Sequence, residues 1–426
     1  MPEGKAAVPA GSALAPGGRT DAPSGAAEGS GGSAGEPSPA AGEPGAPSPP
    51  QARERGFWRI MLWASVLGVA LPAAMLASSL YLFVTGQRFG ALPEGDRLRR
   101  AEASPLYRDG AFRNPGPRTE PGGAGERLAR LARAYGPGSR KAPAEALPAR
   151  ATDLGALPEG SLVWLGHSAF VLRLGGVTLL ADPAGASGSA LPWLVRSFRG
   201  TGIYPAEALP AIDLLLVSHD HPDHLDLAAA LALRDRTGAA LCGLGTGAHL
   251  ERWGYAPGRI LEGEWWDSFA VGGLTVTLVP ALHGSGRGVR RDQALWTGFA
   301  IEGGGRRVFY GGDSGYGPHF GEIGRRLGPF DIGMVGVGQY DFAWPEAMMT
   351  PEQGFRAALE LRLRRLVPVH LGRFGMAAHP WDEPLERAFA AARAERRLRL
   401  VTPLIGETVM LEDETALYMP WWRGIP

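Results

Sequence analysis

The chain has 426 residues, with 43 basic and 43 acidic side chains, and therefore carries no formal net charge. This balance argues against a nucleic-acid partner that is held mainly by a basic surface. The single cysteine, Cys242, excludes an intramolecular disulfide and a cysteine-rich metal site. Any metal site in this chain must therefore be built from histidines and carboxylates.

Residues 1–56 are predicted to be a disordered tail. Gly, Ala, Pro and Ser dominate the segment up to residue 50, where no aromatic residue and no Ile occurs. Such a segment cannot bury enough apolar surface to offset the entropy that is lost on ordering.

Residues 57–84, FWRIMLWASVLGVALPAAMLASSLYLFV, are predicted to form one transmembrane helix. No charge occurs from Ile60 to Val84, and a helix of this length spans a bilayer core of about 30 Å. The alternative is a buried core helix, but a soluble helix of this length usually keeps a polar face. The run is too long and starts too late for a signal-peptide core, so we expect a retained single-pass anchor. Arginines flank both ends, which leaves the sidedness of the following domain open.

Residues 85–155 are rich in Gly, Pro and Arg and are interpreted as a linker with a few docked turns, in which Glu126–Tyr135 has a helical pattern. Residues 156–426 alternate apolar strand-like runs with helical patterns, which favours one layered α/β domain. Three short strands are predicted within residues 161–183. Further strands are predicted at residues 212–218, 274–279, 297–301, 306–310, 332–337 and 366–369. Helices are predicted at residues 225–236, 351–363 and 383–395.

A dense group of polar residues follows the apolar run IDLLLVS. His219, His221, Asp223 and His224 lie in the sequence HDHPDH, at a strand end where sites on open α/β sheets usually occur. Imidazoles and carboxylates suit zinc and similar divalent ions, and one tight turn can supply ligands to two neighbouring metals. The alternative is a polar helix cap formed by Asp220 or Asp223. A cap does not account for three neighbouring histidines, so the pattern favours a metal site.

Three further candidate ligands each end an apolar run elsewhere in the chain. They are His283 after LTVTLVPAL, Asp313 after RRVFYGG and His370 after RRLVPV. Each alone is a weak signal, because a histidine at a strand end is often a structural hydrogen-bonding group. Their recurrence within one α/β segment predicts a binuclear site.

These motifs resemble the metallo-β-lactamase fold and, more closely, N-acyl-phosphatidylethanolamine-hydrolysing phospholipase D and its bacterial relatives. The resemblance is carried within residues 161–374 by WLGHSAFVLRLGGVTLLADP, LPAIDLLLVSHDHPDHLD, VPALHGSGRG, YGGDSGYGPHFGEIGRRLGPFDIGMVGVGQYD and PVHLGRF. SPLYRDGAFRNP, residues 104–115, is similar to the lead-in of these relatives. The fold that the resemblance implies is an α/β metallo-β-lactamase αββα sandwich, here preceded by the tail and one transmembrane helix.

The resemblance also implies two Zn²⁺ ions, although other divalent metals fit the same ligands. One ion would be held by His219, His221 and His283. The other would be held by Asp223, His224 and His370, with Asp313 as the bridge between the two.

Two further residues are expected to support these ligands. Asp182 in LLADP matches an acid that orients a ligand from outside the coordination sphere, and the alternative is a turn acid before Pro183. His167 in GHSAF is expected to be a structural or supporting histidine.

The chemistry that the resemblance implies is phosphodiester hydrolysis of phospholipids. Oxygen-reducing di-iron relatives have Glu where His221 stands, and β-lactamases typically lack an acid at the position of Asp313. The expected nucleophile is a metal-bound hydroxide that the catalytic carboxylates of Asp223 and Asp313 orient. The expected partners are the membrane bilayer and a phospholipid substrate similar to N-acyl-phosphatidylethanolamine.

Candidate substrate contacts follow from side-chain chemistry. The guanidinium of Arg287 suits phosphate, whereas the nearby Arg290 and Arg291 are expected to be solvated. Trp266 is a candidate for an acyl groove, and Tyr340 and His379 are candidates for contacts with substrate or leaving group. Trp265, Phe342 and Trp344 are further candidates for the same groove.

Two other functions stay open. One is a lactonase or other small-molecule ester hydrolase of the same fold, and the other is a metal-binding membrane module without catalytic activity. The tail and the spanning helix are not traits of the resembled lipid enzymes, so acyl specificity also stays open, as does the oligomeric state.

Overall fold

The computed structural model describes residues 49–426, except residues 85, 117–124, 126–127, 130–131, 133–139, 190, 192, 342–343, 345 and 396. The chain divides into two compact units, Met1–Ala73 and Ala74–Pro426. The predicted tail up to residue 48 and most of the predicted helix Glu126–Tyr135 lie outside the described residues.

Helix α1 spans Pro49–Val84 and so begins before residue 57, the predicted start of the apolar helix. The earlier start has a local cause: QARER consists of good helix formers, and proline is tolerated in the first turn of a helix. Within α1, Glu54–Ser79 is long and apolar enough to cross a membrane. Large apolar side chains such as Trp58 and Leu76 are exposed along it. The helix therefore has the length and composition of a membrane span.

The second unit is built mainly from β-strands. In chain order the strands are β1 (Tyr107–Arg108), β2 (Ala111–Phe112), β3 (Ser161–Trp164), β4 (Phe170–Leu174), β5 (Val177–Ala181), β6 (Ile212–Val217), β7 (Thr237–Gly243), β8 (Ile260–Gly263), β9 (Ser268–Val271), β10 (Leu274–Val279), β11 (Gly298–Gly303), β12 (Arg306–Tyr310), β13 (Ile332–Gly336), β14 (Arg365–Val369), β15 (Arg399–Leu400) and β16 (Thr408–Met410). Among the described residues, the α-helices after α1 are α2 (Gly95–Ala103), α3 (Leu227–Leu233), α4 (Gly247–Arg252), α5 (His319–Arg326), α6 (Pro351–Glu360) and α7 (Glu383–Ala394).

Two seven-stranded sheets form the body of this unit. Their strand orders are β16-β3-β4-β5-β6-β7-β8 and β15-β14-β13-β12-β11-β10-β9. Strands β5 to β8 run parallel in the first sheet, and strands β12 to β15 run parallel in the second. Each sheet therefore combines an antiparallel part with a parallel part, and the two parallel parts carry the crossover helices.

The apolar run of β6 shows why the sheets pack face to face. Leu214 and Leu216 join the core shared with residues of the second sheet, whereas Leu215 and Val217 join a separate core on the opposite face. Side chains alternate across a strand, so a strand that is covered on both faces needs an unbroken apolar sequence. Full burial of each such side chain contributes about 1.5–3 kcal/mol.

Helices cover the outer face of each sheet. Ala230 and Leu233 of α3 and Leu250 of α4 belong to the core outside the first sheet. Phe355 of α6 and Leu385 of α7 join the core on the side of the second sheet. The layers are thus helix, sheet, sheet and helix, which confirms the predicted αββα sandwich.

The segment predicted as a linker contains ordered structure of its own. Strands β1 and β2 form an antiparallel hairpin in which Tyr107 pairs with Phe112. Phe112 is fully buried in a small core with Leu244, Leu295 and Trp296. The lead-in is therefore packed against loops of the sandwich.

Two glycine turns, one from each sheet, meet backbone to backbone. Gly175, in the β4–β5 turn, has φ +60°, and Gly273 lies in the β9–β10 turn. A Cβ atom built on Gly273 would overlap the carbonyl oxygen of Gly175. The close approach of the two sheets at this point therefore depends on the absence of side chains.

We expect Gly273→Ala to lower the free energy of unfolding by about 1–3 kcal/mol, because the added methyl group forces the two turns apart. The matched control is Gly258→Ala, where a Cβ atom meets nothing within 4 Å. Guanidinium unfolding of the detergent-solubilised chain, followed by tryptophan fluorescence, measures the difference. Equal midpoints for the two variants would contradict the proposed contact.

Candidate metal centre

The predicted ligands lie where strands of one direction end. Strands β10, β12 and β14 share a direction, because β11 is antiparallel to both β10 and β12. His283 follows β10, Asp313 follows β12, and His370 follows β14 directly. In the other sheet, His219 follows β6. Since the carboxyl ends of strands that share a direction meet at one edge, residues far apart in sequence converge there.

The HDHPDH sequence forms a tight turn after β6. The carbonyl oxygen of His221 accepts a hydrogen bond from the backbone N–H of His224 at 3.0 Å. The following helix, α3, is capped by the side chain of Asp226. The alternative in which Asp220 or Asp223 forms this cap is wrong, because the helix starts at Leu227, later than that alternative requires.

Three histidines form a first group of nitrogen atoms. His219 Nε2 lies 2.7 Å from His221 Nδ1, and His283 Nε2 lies 3.3 Å from the same atom. The three can offer ligand atoms that lie within 4.8 Å of one another. One divalent cation can be bound by this group.

A second group combines a carboxylate with two imidazoles. Asp223 Oδ2 lies 3.3 Å from His370 Nε2 and 3.4 Å from His224 Nε2. All three side chains are buried. This group can hold a second cation, and His167 lies near enough to belong to it.

Asp313 lies between the two groups. Its Oδ2 atom is 3.0 Å from His370 Nε2 and 3.2 Å from His224 Nε2, both in the second group. The same atom is 3.6 Å from His283 Nε2 and 3.9 Å from His219 Nε2, both in the first group. A carboxylate in this position is suited to bridge two cations.

The hydrogen bonds that His283 and His224 make to residues outside the ligand groups leave the Nε2 atoms of both histidines facing the cluster. His283 Nδ1 donates to the carbonyl oxygen of Ala347 at 2.9 Å, and His224 Nδ1 donates to Asp182 Oδ2 at 2.7 Å. Because these acceptors carry no proton, Nδ1 must carry it and Nε2 faces the cluster. Asp313 Oδ1 is buried without a hydrogen-bond partner among the described residues, a cost of about 1–3 kcal/mol. The residues therefore fit a bound divalent metal.

Several groups have the protonation state that metal binding needs. Burial, and then the nearby imidazoles, hold the pKa of His219 well below its usual value, and burial lowers the pKa of His221 to about 3. Burial alone would raise the pKa of Asp313, but His224 and His370 hold it well below its usual range. Neutral imidazoles and ionised carboxylates are the forms that bind divalent cations.

Two histidines of the second group hold a proton more tightly. Burial opposes the charged form of His370, yet Asp313 and Asp223 raise its pKa to about 9. The pKa of His224 is also well above its usual value, despite burial, because of Asp313 and Asp223. A cation that binds here therefore displaces protons from these imidazoles.

Asp182 supports the cluster from outside. Its Oδ1 atom accepts the backbone N–H of Ser218 at 2.8 Å. Its Oδ2 atom accepts from His224, from the Ser218 hydroxyl and from the Tyr310 hydroxyl. Asp182 thus fixes both the start of the HDHPDH turn and the orientation of one of its histidines.

His167 is fully buried and contacts the second group. Its Nε2 atom lies 2.8 Å from Asp223 Oδ2. Its backbone pairs with the neighbourhood of His370, because His370 N donates to the His167 carbonyl and His167 N donates to that of Leu371, each at 3.0 Å. His167 therefore joins the end of β3 to the end of β14 across the site.

Arg287, predicted as a phosphate contact, is buried and donates to the backbone. Its Nη1 atom donates to the carbonyl oxygens of Asp220 and Leu225 at 2.8 and 2.6 Å, and its Nε atom donates to that of Arg88 at 2.9 Å. These bonds give it a role in holding the HDHPDH loop. Its contact with substrate stays a prediction. Arg290 and Arg291 are exposed, as expected.

The other predicted substrate contacts have partners of their own. The ring of Trp266 lies 4.1 Å below the guanidinium of Arg326. Tyr340 donates to Glu383 at 2.6 Å and stacks on His379, whose Nε2 accepts the backbone N–H of Gln339 at 3.0 Å. None of these contacts involves a predicted metal ligand, and Phe342 lies outside the described residues.

Two residues at the site are not singled out by the sequence pattern. Asn114, in the lead-in, clamps the backbone of His283: its Nδ2 donates to the His283 carbonyl at 2.8 Å, and its Oδ1 accepts the His283 N–H at 3.3 Å. The sequence around Tyr310, the last residue of β12, indicates only a core aromatic residue, but the Tyr310 hydroxyl donates a hydrogen bond to Asp182. The likeness of SPLYRDGAFRNP to the family lead-in is the one signal that pointed towards Asn114.

The geometry agrees with comparisons to known proteins. The family model described as a beta-lactamase superfamily domain matches residues 185–371. A metal-dependent hydrolase of Anaeromyxobacter sp. (strain K) is 30% identical over 252 residues, which cover 57% of this chain and 84% of the relative. The chain belongs to the metallo-β-lactamase-fold, metal-dependent hydrolases.

Two further relatives extend the comparison. An uncharacterized protein of Mycobacterium tuberculosis is 38% identical over 334 residues, which cover 76% of this chain and 88% of the relative. N-acyl-phosphatidylethanolamine-hydrolyzing phospholipase D 1 of Caenorhabditis elegans is 30% identical over 233 residues, which cover 50% of this chain and 64% of that enzyme. The predicted resemblance to a metallo-β-lactamase-fold hydrolase is thus confirmed.

We expect Asp182→Asn to weaken zinc affinity by about 10–100-fold, because an amide N–H₂ then faces donors that the carboxylate accepts. Competition with a fluorescent chelator measures the dissociation constant. The control is Asp235→Asn, which removes an exposed carboxylate that pairs with Arg234. Unchanged zinc affinity in Asp182→Asn would show that this residue does not orient a ligand.

Proposed function

We propose that this protein is a membrane-anchored binuclear zinc phosphodiesterase of the phospholipase D type that acts on phospholipids. The observation that carries the proposal is the position of Asp313 Oδ2, within 3.9 Å of imidazole nitrogens from both ligand groups. Four imidazoles around one buried carboxylate fit a pair of cations better than they fit one.

The two ions, when bound, would supply Lewis-acid polarisation of a phosphoryl oxygen and activation of water at neutral pH. The chain's own residues define where that chemistry takes place. His219, His221 and His283 would hold one cation, and Asp223, His224 and His370 would hold the other, with Asp313 within reach of both groups. The ionised carboxylates of Asp223 and Asp313 would accept hydrogen bonds from a water molecule between the groups and would orient it towards the phosphorus atom.

Surrounding residues keep these carboxylates in place. His167 lies 2.8 Å from Asp223 Oδ2 and limits its rotation, and Asp182 holds His224 at 2.7 Å. Side chains fixed in this manner need little reorganisation during the reaction, which is a main source of electrostatic catalysis.

Two findings support a phospholipid as substrate. The first is the identity shared with the Caenorhabditis elegans phospholipase over half of this chain. The second is helix α1, whose segment Glu54–Ser79 has the length and composition of a membrane span. An enzyme that is anchored at a bilayer meets membrane lipids at high effective concentration.

We expect the zinc-loaded full chain to release phosphatidic acid and a free headgroup from mixed phospholipid vesicles, as measured by mass spectrometry. Asp313→Asn should reduce this rate by at least about 100-fold, because it removes a carboxylate ligand from both groups. Asp235→Asn, an exposed change, should keep the rate. Hydrolysis of lactones or simple esters without any lipid product would instead identify a small-molecule esterase. Retained zinc without hydrolysis of either would identify a binding module.

We expect the chain to stay in the membrane fraction of an expression host after alkaline carbonate extraction. The double variant Leu67→Arg/Leu71→Arg should be released, because each charge at the centre of a span costs about 2.5–3.5 kcal/mol. Leu67→Ile/Leu71→Ile is the control that keeps the apolar surface. Release of the unsubstituted chain would contradict membrane anchoring.

A further inference from the structure

Asp220 lies between His219 and His221 in the sequence, but its hydrogen-bond partners are Gly286, His249 and Arg287, which belong to neither ligand group. It is buried, and each of its three oxygen atoms accepts a hydrogen bond. Oδ1 accepts from Gly286 N at 2.6 Å, Oδ2 accepts from His249 Nε2 at 3.1 Å, and the carbonyl oxygen accepts from Arg287 at 2.8 Å. Asp220 therefore ties the HDHPDH loop to the loop that carries His283.

His249 connects Asp220 to a segment far away in sequence. The backbone N–H of Ala91 donates to His249 Nδ1 at 3.0 Å. Nδ1 is therefore the acceptor, so the ring proton is on Nε2 and donates to Asp220. Gly90 makes room for this contact, since it has φ +69° and a Cβ atom built on it would overlap His249 Nδ1.

Two more hydrogen bonds attach the same segment. Trp253 Nε1 donates to the carbonyl oxygen of Gln87 at 2.8 Å, and Arg287 Nε donates to that of Arg88 at 2.9 Å. The guanidinium of Arg287 also lies over the Trp253 ring, at 5.1 Å. Arg287 thus binds the segment with one nitrogen and the HDHPDH loop with another.

We propose that Gln87–Ala91, which we call the juxtahelix segment, is a positioning element of the metal centre. It begins three positions after Val84, the last residue of α1. Through His249 and Arg287 it holds Asp220, and Asp220 fixes the directions in which its neighbours His219 and His221 present their nitrogens. The inference rests on the proposed function for the presence of the metal.

The form of these contacts favours positioning over simple packing. The bonds from His249, Trp253 and Arg287 described above use backbone atoms of the juxtahelix segment, and His249 and Arg287 also bind Asp220. Residues outside the coordination sphere that orient ligands typically change metal affinity by about 10–100-fold when they are replaced. A change in the juxtahelix segment should therefore alter metal affinity through its contacts with His249 and Arg287, which both bind Asp220.

The test uses the detergent-solubilised full chain. We expect Gly90→Ala to weaken zinc binding about 10-fold, because the new methyl group displaces His249. The absorption spectrum of the Co²⁺-loaded variant should also change, which reports altered ligand geometry directly. The matched control is Gly95→Ala, since Gly95 also has positive φ but a Cβ atom there meets nothing within 4 Å. The control should keep both the zinc affinity and the cobalt spectrum of the unsubstituted chain.

A second variant separates the two ends of the path. His249→Gln keeps a donor near the position of Nε2 for Asp220 but loses the acceptor for Ala91. We expect it to weaken zinc binding in the same manner as Gly90→Ala, and it decides the question if Gly90→Ala does not fold. If His249→Gln has the same zinc affinity and the same cobalt spectrum as the unsubstituted chain, the inference is wrong, whereas the proposed function is unaffected. Absence of zinc binding in the unsubstituted chain would overturn both the inference and the proposed function.

Discussion

The site depends on one carboxylate in contact with two sets of imidazoles. Asp313 Oδ2 lies 3.0 Å from His370 Nε2 and 3.6 Å from His283 Nε2. Both histidines follow strands of the second sheet, but they belong to different ligand groups. Buried like this, the carboxylate is stable as an anion only because positive or polarised groups surround it. Its neighbours His219 and His224 come from the other sheet. The interaction therefore joins the ends of both sheets, and it needs the sandwich to hold them at a fixed spacing.

Residues outside the two ligand groups hold the predicted ligands in place. Asp182 holds His224, and Tyr310 donates to Asp182 from the end of the strand that leads to Asp313. Asp182 thus contacts His224, which follows a strand of the first sheet, and Tyr310, which ends a strand of the second sheet. A displacement of either sheet would therefore move Asp182 and, through it, His224. Part of the rigidity that electrostatic catalysis needs therefore comes from the strand ends at which Asp182 and Tyr310 lie.

Much of this arrangement could be predicted from sequence because the signals are local. The HDHPDH turn follows an unbroken apolar strand, and the ligand-bearing runs around His283, Asp313 and His370 end where strands end. Strand β7, TGAALCG, was not predicted, because small residues and glycine have low strand propensity and its burial is decided by neighbours on both sides. The roles of Asn114 and His249 could not be predicted either. Each acts through a backbone atom more than 150 positions away, and no periodicity in the sequence records such a contact.

The two hydrogen bonds between the Asn114 side chain and the His283 backbone help to define where the hydrolase domain begins. Asn114 lies upstream of β3, the first strand of the sandwich, and upstream of the residues that match the family. A fragment cut at the start of β3 would contain every predicted ligand, yet the peptide of His283 would lack its two hydrogen bonds to the Asn114 side chain. The hairpin of the lead-in is therefore an integral part of the catalytic unit, and exchange of this domain between relatives should carry it along.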